Sequence, residues 1–210
     1  GSGWRIQEEI PPMSGLAHGN SGILIPILAL SKYTGRTMYE EIADKIWDYE
    51  NSLYDPTINN WKDTREQGKV VSSNPIGSVA WCHGAAGVLY SRILCYEFVE
   101  DKKWKNRLEL DIKRAYKKLQ EYWKRDSDCL CHGNCGNFWI WEIAQEKMKE
   151  YGIPVKRDRD VELLKDELGE QIVHLLPQEQ INVGFMNGCG GILYKYLYDT
   201  NATKNHIELI

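Results

Sequence analysis

Trp81-Cys82-His83-Gly84-Ala85-Ala86-Gly87 runs straight into the largely apolar stretch from Val88 to Leu94. Two glycines spaced by two residues ahead of an apolar run mark a sharp turn opening onto a buried helix. Glycine permits the turn and a close backbone approach, and the helix start presents unsatisfied N–H groups. The element recurs as Gly19-Asn20-Ser21-Gly22, Gly133-Asn134-Cys135-Gly136 and Gly188-Cys189-Gly190-Gly191. In chain order the first glycines of the four copies lie 65, 49 and 55 residues apart. Each copy precedes an apolar run: Ile23 to Leu30, Val88 to Leu94, Phe138 to Ile143 and Ile192 to Leu197.

Between the copies lie segments with helical rather than strand periodicity. Tyr39 to Tyr49 puts Ile42, Ile46 and Tyr49 on one face, and Arg107 to Trp123 does so with Leu108, Ile112, Ala115, Leu119 and Trp123. Asp160 to Leu176 repeats the pattern with Leu164, Leu168, Ile172 and Leu175. The repeating unit is thus an apolar inner helix paired with an amphipathic outer one. Recurrence at about 50 residues predicts an all-α fold of stacked helical hairpins. Its natural closed form is an α/α toroid, here a partial ring of about four hairpins, with the four turns converging on one end.

At 210 residues, 42 % of them hydrophobic, the chain can bury a core of its own. With 26 basic against 30 acidic residues the net charge is −4, which excludes the electrostatic footprint of a nucleic-acid binder. Lys102-Lys103-Trp104-Lys105 is expected to be a solvated helix face. No window of about 18 continuous apolar residues is present, so no membrane span is expected, and no secretory signal is read at the start. A cytoplasmic location is the expectation. Gly1-Ser2-Gly3 reads as a vector-derived scar, with residues 4–210 forming the domain.

Of six cysteines, three fall in Cys129-Leu130-Cys131-His132-Gly133-Asn134-Cys135. Cysteine beside histidine suggests metal binding more than a disulfide framework. The residues ahead of the four glycine elements are equivalent by position: Ala17-His18, Cys82-His83, Cys131-His132 and Met186-Asn187. Two Cys-His pairs at matching places would face a common centre. Thiolates and imidazole suit zinc, and three protein ligands with one open position suit a catalytic zinc. Spacing leaves open whether His83 or His132 completes the set.

Trp81-Cys82-His83-Gly84-Ala85-Ala86-Gly87 and Cys131-His132-Gly133-Asn134-Cys135-Gly136 resemble the zinc motifs of the LanC-like lanthionine cyclases. Gly15-Leu16-Ala17-His18-Gly19-Asn20-Ser21-Gly22 and Gly184-Phe185-Met186-Asn187-Gly188-Cys189-Gly190-Gly191 are similar to flanking repeats of that family. Histidine after the first cysteine is most similar to the C-terminal cyclase domain of class II (LanM-type) synthetases. The resemblance implies Cys82, Cys131 and His132 as ligands of Zn2+ and His18 as general acid/base. His83 then becomes an auxiliary proton donor or a support for the ligands.

The implied reaction adds a cysteine thiolate of a dehydrated precursor peptide to dehydroalanine or dehydrobutyrine, closing a (methyl)lanthionine ring. Two alternatives are glutathione addition to dehydroamino acids and a non-catalytic, zinc-stabilised peptide-binding or assembly module. Complete family members have more hairpins, including one that supplies an acidic residue. The flanks of a partial ring are therefore expected to meet the rest of a synthetase or a second copy. Some relatives carry an arginine shortly before the first zinc cysteine; Ser78-Val79-Ala80 stands there, and Arg65 is the nearby candidate. Asn59-Asn60-Trp61-Lys62-Asp63 is a candidate stretch for the substrate face.

Overall fold

Helices dominate the computed structural model, which describes residues 1–5, 8–66, 77–155 and 182–199. The first hairpin pairs α1 (Asn20–Thr34) with α2 (Thr37–Leu53). Gly35 ends α1 at φ 65°, a left-handed value that suits glycine, and its N–H donates to Ser31 O at 2.9 Å. A short antiparallel ribbon follows, β1 (Tyr54–Asp55) with β2 (Asn60–Trp61), and then a 3-10 turn at Thr64–Glu66.

The second hairpin pairs α3 (Ala85–Tyr96) with α4 (Lys102–Tyr122). Two inner helices continue the series, α5 (Asn134–Glu150) and α6 (Cys189–Asp199). Asp160 to Leu176, the third predicted outer helix, lies outside the described residues.

Packing follows the predicted two-layer order. α1, α3, α5 and α6 touch in succession as an inner row, while α2 and α4 cover α1 and α3 from outside. The fold is all-α, an arc of an α/α toroid. α3 stands mid-row, and every residue from Ala85 to Ile93 is buried. α4 presents Leu108, Ile112, Ala115 and Leu119, all fully buried, along the stripe its periodicity forecast. It begins earlier than Arg107 because the Asp101 side chain accepts from Trp104 N–H at 3.0 Å. Trp104 is consequently core, so only part of the Lys102–Lys105 cluster is solvated.

The core also holds charge. Arg92 on α3 is fully buried and donates through Nη2 to Glu50 of α2 at 2.7 Å and through Nε to Asp111 of α4 at 3.0 Å. Ser21 Oγ donates to Glu50 at 2.6 Å and accepts from Gly15 N–H at 3.2 Å. This network ties both hairpins to the first glycine turn. Buried charges persist only when paired in this way.

The row ends on exposed apolar side chains, Leu30 and Tyr33 on α1 and Leu193 and Tyr196 on α6. No helix among the described residues is long and apolar enough to cross a membrane.

Candidate active site

Each glycine element closes the same seven-residue loop. The first helical residue donates its N–H to the carbonyl seven positions upstream: Asn20 to Met13 (2.8 Å), Ala85 to Ser78 (3.2 Å), Asn134 to Ser127 (2.8 Å) and Cys189 to Asn182 (2.8 Å). The second glycine of each copy lies against the carbonyl six residues before it. A methyl on Gly136 would penetrate Leu130 O, and one on Gly191 would penetrate Phe185 O. That close approach is what the second glycine is for.

The loops are then joined through their equivalent central residues. Ala17 N–H donates to Cys82 O at 3.2 Å, Cys82 N–H to Cys131 O at 3.2 Å and Cys131 N–H to Met186 O at 2.8 Å. One continuous backbone chain therefore runs across all four turns at one end of the helical row. It fixes Cys82 and Cys131 side by side, although 49 residues separate them in sequence.

The two thiols lie close enough to share a proton, with Cys131 the one favoured as thiolate. That pairing pushes the Cys82 thiol far up, and burial and the neighbouring sulfur charge add to the effect. The same pairing draws the Cys131 thiol down to about 6, against the effect of burial. His132 and the charge of His18 assist. Cys131, His132 and His18 thus form an electropositive setting for a thiolate. His132 and His18 are both exposed, whereas Cys82 is buried.

His83 points elsewhere. It is buried, its Nδ1 lies 2.7 Å from Ser14 O, and its Nε2 faces Asp63 Oδ2 at 3.2 Å without good hydrogen-bond alignment. Asp63 in turn grips Arg65, accepting from Nη2 at 2.6 Å, Nε at 3.0 Å and the backbone N–H at 3.0 Å. Burial opposes charge on Asp63, yet the nearby His83 ring and the bonds from Arg65 hold the carboxyl well below the usual range. The positive charge of Arg65 acts on the Cys82 thiol.

Asp63 is the residue that sequence reasoning placed only vaguely. The rest of its stretch turns inward, with Trp61 fully buried and Asn60 Nδ2 donating to Ser78 O at 3.0 Å.

All six cysteines are free thiols. Cys129 and Cys135 are buried at 4 % and 2 % exposure, which removes them from an open site. Cys95 lies inside α3 beside Ser91, its thiol pushed up to about 12 by burial. Cys189 opens α6 and is half-buried. Among the described residues no three Cys, His, Asp or Glu side chains are closed around a common point as they would be on a bound ion. Cys82 and His132 both act on the Cys131 thiol, and two thiols with an imidazole are a donor set that fits zinc.

An all-α hairpin arc with a thiol pair at its turn end defines the class. Residues 5–209 match the family described as lanthionine synthetase C-like protein, and the chain belongs to that family. It is 28 % identical over 198 residues to the lacticin 481/lactococcin biosynthesis protein LcnDR2 of Lactococcus lactis subsp. lactis, a match covering 90 % of this chain and 21 % of that protein. Nisin cyclase superposes with a TM-score of 0.62 at 20 % identity, covering 90 % of this chain and 47 % of that one. The chain therefore spans about a fifth of the curated relative and about half of the solved one.

Proposed function

We propose that this chain is the cyclase portion of a lanthipeptide synthetase, acting in the cytoplasm on a dehydrated precursor peptide. The observation that carries the reading is the Cys82–Cys131 thiol pair, with His132 and His18 beside it, at the open end of the turns. Cys82, Cys131 and His132 are the residues that would hold zinc. Bound there, the ion supplies the acidity that converts a cysteine thiol into a thiolate at neutral pH.

The chain's own residues account for the rest of the chemistry. A peptide thiolate forms the new C–S bond at the β-carbon of dehydroalanine or dehydrobutyrine. The π pair of the alkene moves onto the neighbouring carbonyl oxygen as an enolate. His18, exposed and beside Cys131, gives its proton to the α-carbon, which collapses the enolate and leaves a thioether. The thiol proton lost at the start restores the count.

His83 serves as a support in this scheme, since its ring is taken up by Ser14 and Asp63. The exposed flanks at Leu30, Tyr33, Leu193 and Tyr196 are the surfaces that the rest of a synthetase or a second copy would cover.

Incubation with a dehydrated precursor peptide tests the reading. Free peptide thiol should disappear without change of peptide mass, and Cys82→Ala should abolish that loss. Glutathione added as a competitor distinguishes ring closure from intermolecular addition. A peptide whose thiols persist beside zinc-loaded protein overturns the proposal.

A further inference from the structure

Ser21 lies wholly inside the protein in the first turn of α1, and other helices engage it at both ends. Its hydroxyl donates to Glu50 Oε1 of α2 at 2.6 Å, and its carbonyl accepts from Ser91 Oγ of α3 at 2.5 Å. Glu50 is in turn paired with Arg92 at 2.7 Å. What this buried assembly holds is the N–H of Gly15, which donates to Ser21 Oγ at 3.2 Å. Gly15 has φ 100°, so it is the kink from which the loop departs towards His18. Further along the loop, the N–H groups of Ala17 and His18 both donate to Cys82 O, at 3.2 and 3.4 Å.

The backbone bond that closes the seven-residue loop is common to all four turns, but this clamp is not. At the helix position equivalent to Ser21 stand Ala86 and Gly190, which have no polar side-chain group, and the thiol of Cys135. The two middle turns carry Cys82 and Cys131, which a bound zinc would tether. The first turn carries Ala17 at that place, so the ion gives it no tether. His18 is exposed, and its own loop has to set its direction. A buried ion pair adds little net stability, so stability alone does not account for one set beneath this turn.

We propose that Ser21 and Glu50 are positioning residues for His18: they hold Gly15, and through it the loop, so that the imidazole meets the α-carbon of a substrate at the Cys82–Cys131 pair. The inference rests on the cyclase reading and deepens it. A hydroxyl suits the task because it donates to a carboxylate while accepting from an N–H. Proton transfer needs the acid within close reach of the atom it serves, and a small misplacement costs rate more than binding.

The test uses the full-length protein and a synthetic peptide carrying one dehydroalanine and one cysteine. Ser21→Ala introduces what α3 carries at the equivalent position, and it should lower kcat on the order of tenfold, with KM changed by less than about threefold. Added to His18→Asn, it should cost no more than about a further twofold, because the imidazole it positions is gone. Amide hydrogen exchange gives a readout apart from activity. In Ser21→Ala, exchange should quicken across residues 13–19 and keep the wild-type rate across residues 127–133. Ser21→Cys is read in the same ways should the alanine form fold poorly.

A kcat within about threefold of wild type, a loss confined to KM, a loss that multiplies with that of His18→Asn, a His18→Asn variant of undiminished rate, or exchange that quickens equally in both loops each overturn the inference alone. Wild-type protein that leaves the probe's thiol free overturns the cyclase reading and this inference with it.

Discussion

The backbone N–H of Cys82 donates to the carbonyl of Cys131 at 3.2 Å, so the two sulfur-bearing residues are registered by the main chain and not by their side chains. The frame that brings them together therefore does not depend on what the sulfurs hold.

Removing a sulfur should accordingly spare the fold and cost the metal. Cys82→Ala and Cys131→Ala are expected to keep the far-UV circular dichroism of the wild type while zinc content, read by atomic spectroscopy, drops to background. Full zinc retention in both variants would reject them as ligands.

Alkylation offers a separate readout. With zinc stripped by a chelator, Cys131 should react with iodoacetamide at neutral pH well ahead of Cys95, because one thiol is drawn down to about 6 and the other is buried and pushed up to about 12. Reactivity at Cys131 should climb as pH rises through about 6. Replacing Cys82 by alanine removes the partner thiol that favours the Cys131 thiolate, so the climb should move to higher pH. Peptide mapping by mass spectrometry resolves the sites.

Gly136→Ala places a methyl group into Leu130 O, a backbone atom held by the turn. A cost of about 3 kcal/mol is expected, at the upper end for overpacking. Gly152→Ala meets nothing within 4 Å but sits at φ 71°, so its cost is that of left-handed backbone alone, about 1 kcal/mol. Urea midpoints rank the two. Equal midpoints would mean the loop yields where it is described as tight.

Arg92→Met leaves Glu50 and Asp111 buried without their cation, and about 3–5 kcal/mol of stability should be lost. Burial already lifts the Glu50 carboxyl above its ordinary value, with Arg92 and Ser21 pulling the other way. A raised folded value means the native state holds the proton more tightly than the unfolded chain. Its contribution is complete below the unfolded value of about 4.3 and declines as pH rises through the folded one. Without the guanidinium that window widens. The stability deficit of Arg92→Met should thus grow as pH rises above the unfolded carboxylate range; a deficit that shrinks would contradict the network.

The four turns, their inner helices and the meeting of Cys82 with Cys131 were legible because each rests on local pattern repeated at equivalent positions. Arg92 was legible in principle, as a charge inside the apolar run Val88 to Leu94, which demands a buried acid. Its partners Glu50 and Asp111 were not, since both lie on amphipathic helices where an acid ordinarily faces water. Asp63 and Arg65 were named only as loose candidates, and their link to His83 was illegible for another reason. They sit in a connection without periodicity, and only folding carries that connection back to His83. Spacing alone also could not separate His83 from His132; in the structure the His83 ring lies against Ser14 and Asp63, while His132 is exposed.

The same loop presents alanine, cysteine, cysteine and methionine at its central position. Geometry and chemistry are thus separately encoded: the glycines and carbonyls set where a side chain arrives, and a single codon sets what arrives. Ala17 and Met186 are two further sockets at that rim, places where a donor atom could be added or withdrawn without redrawing the scaffold.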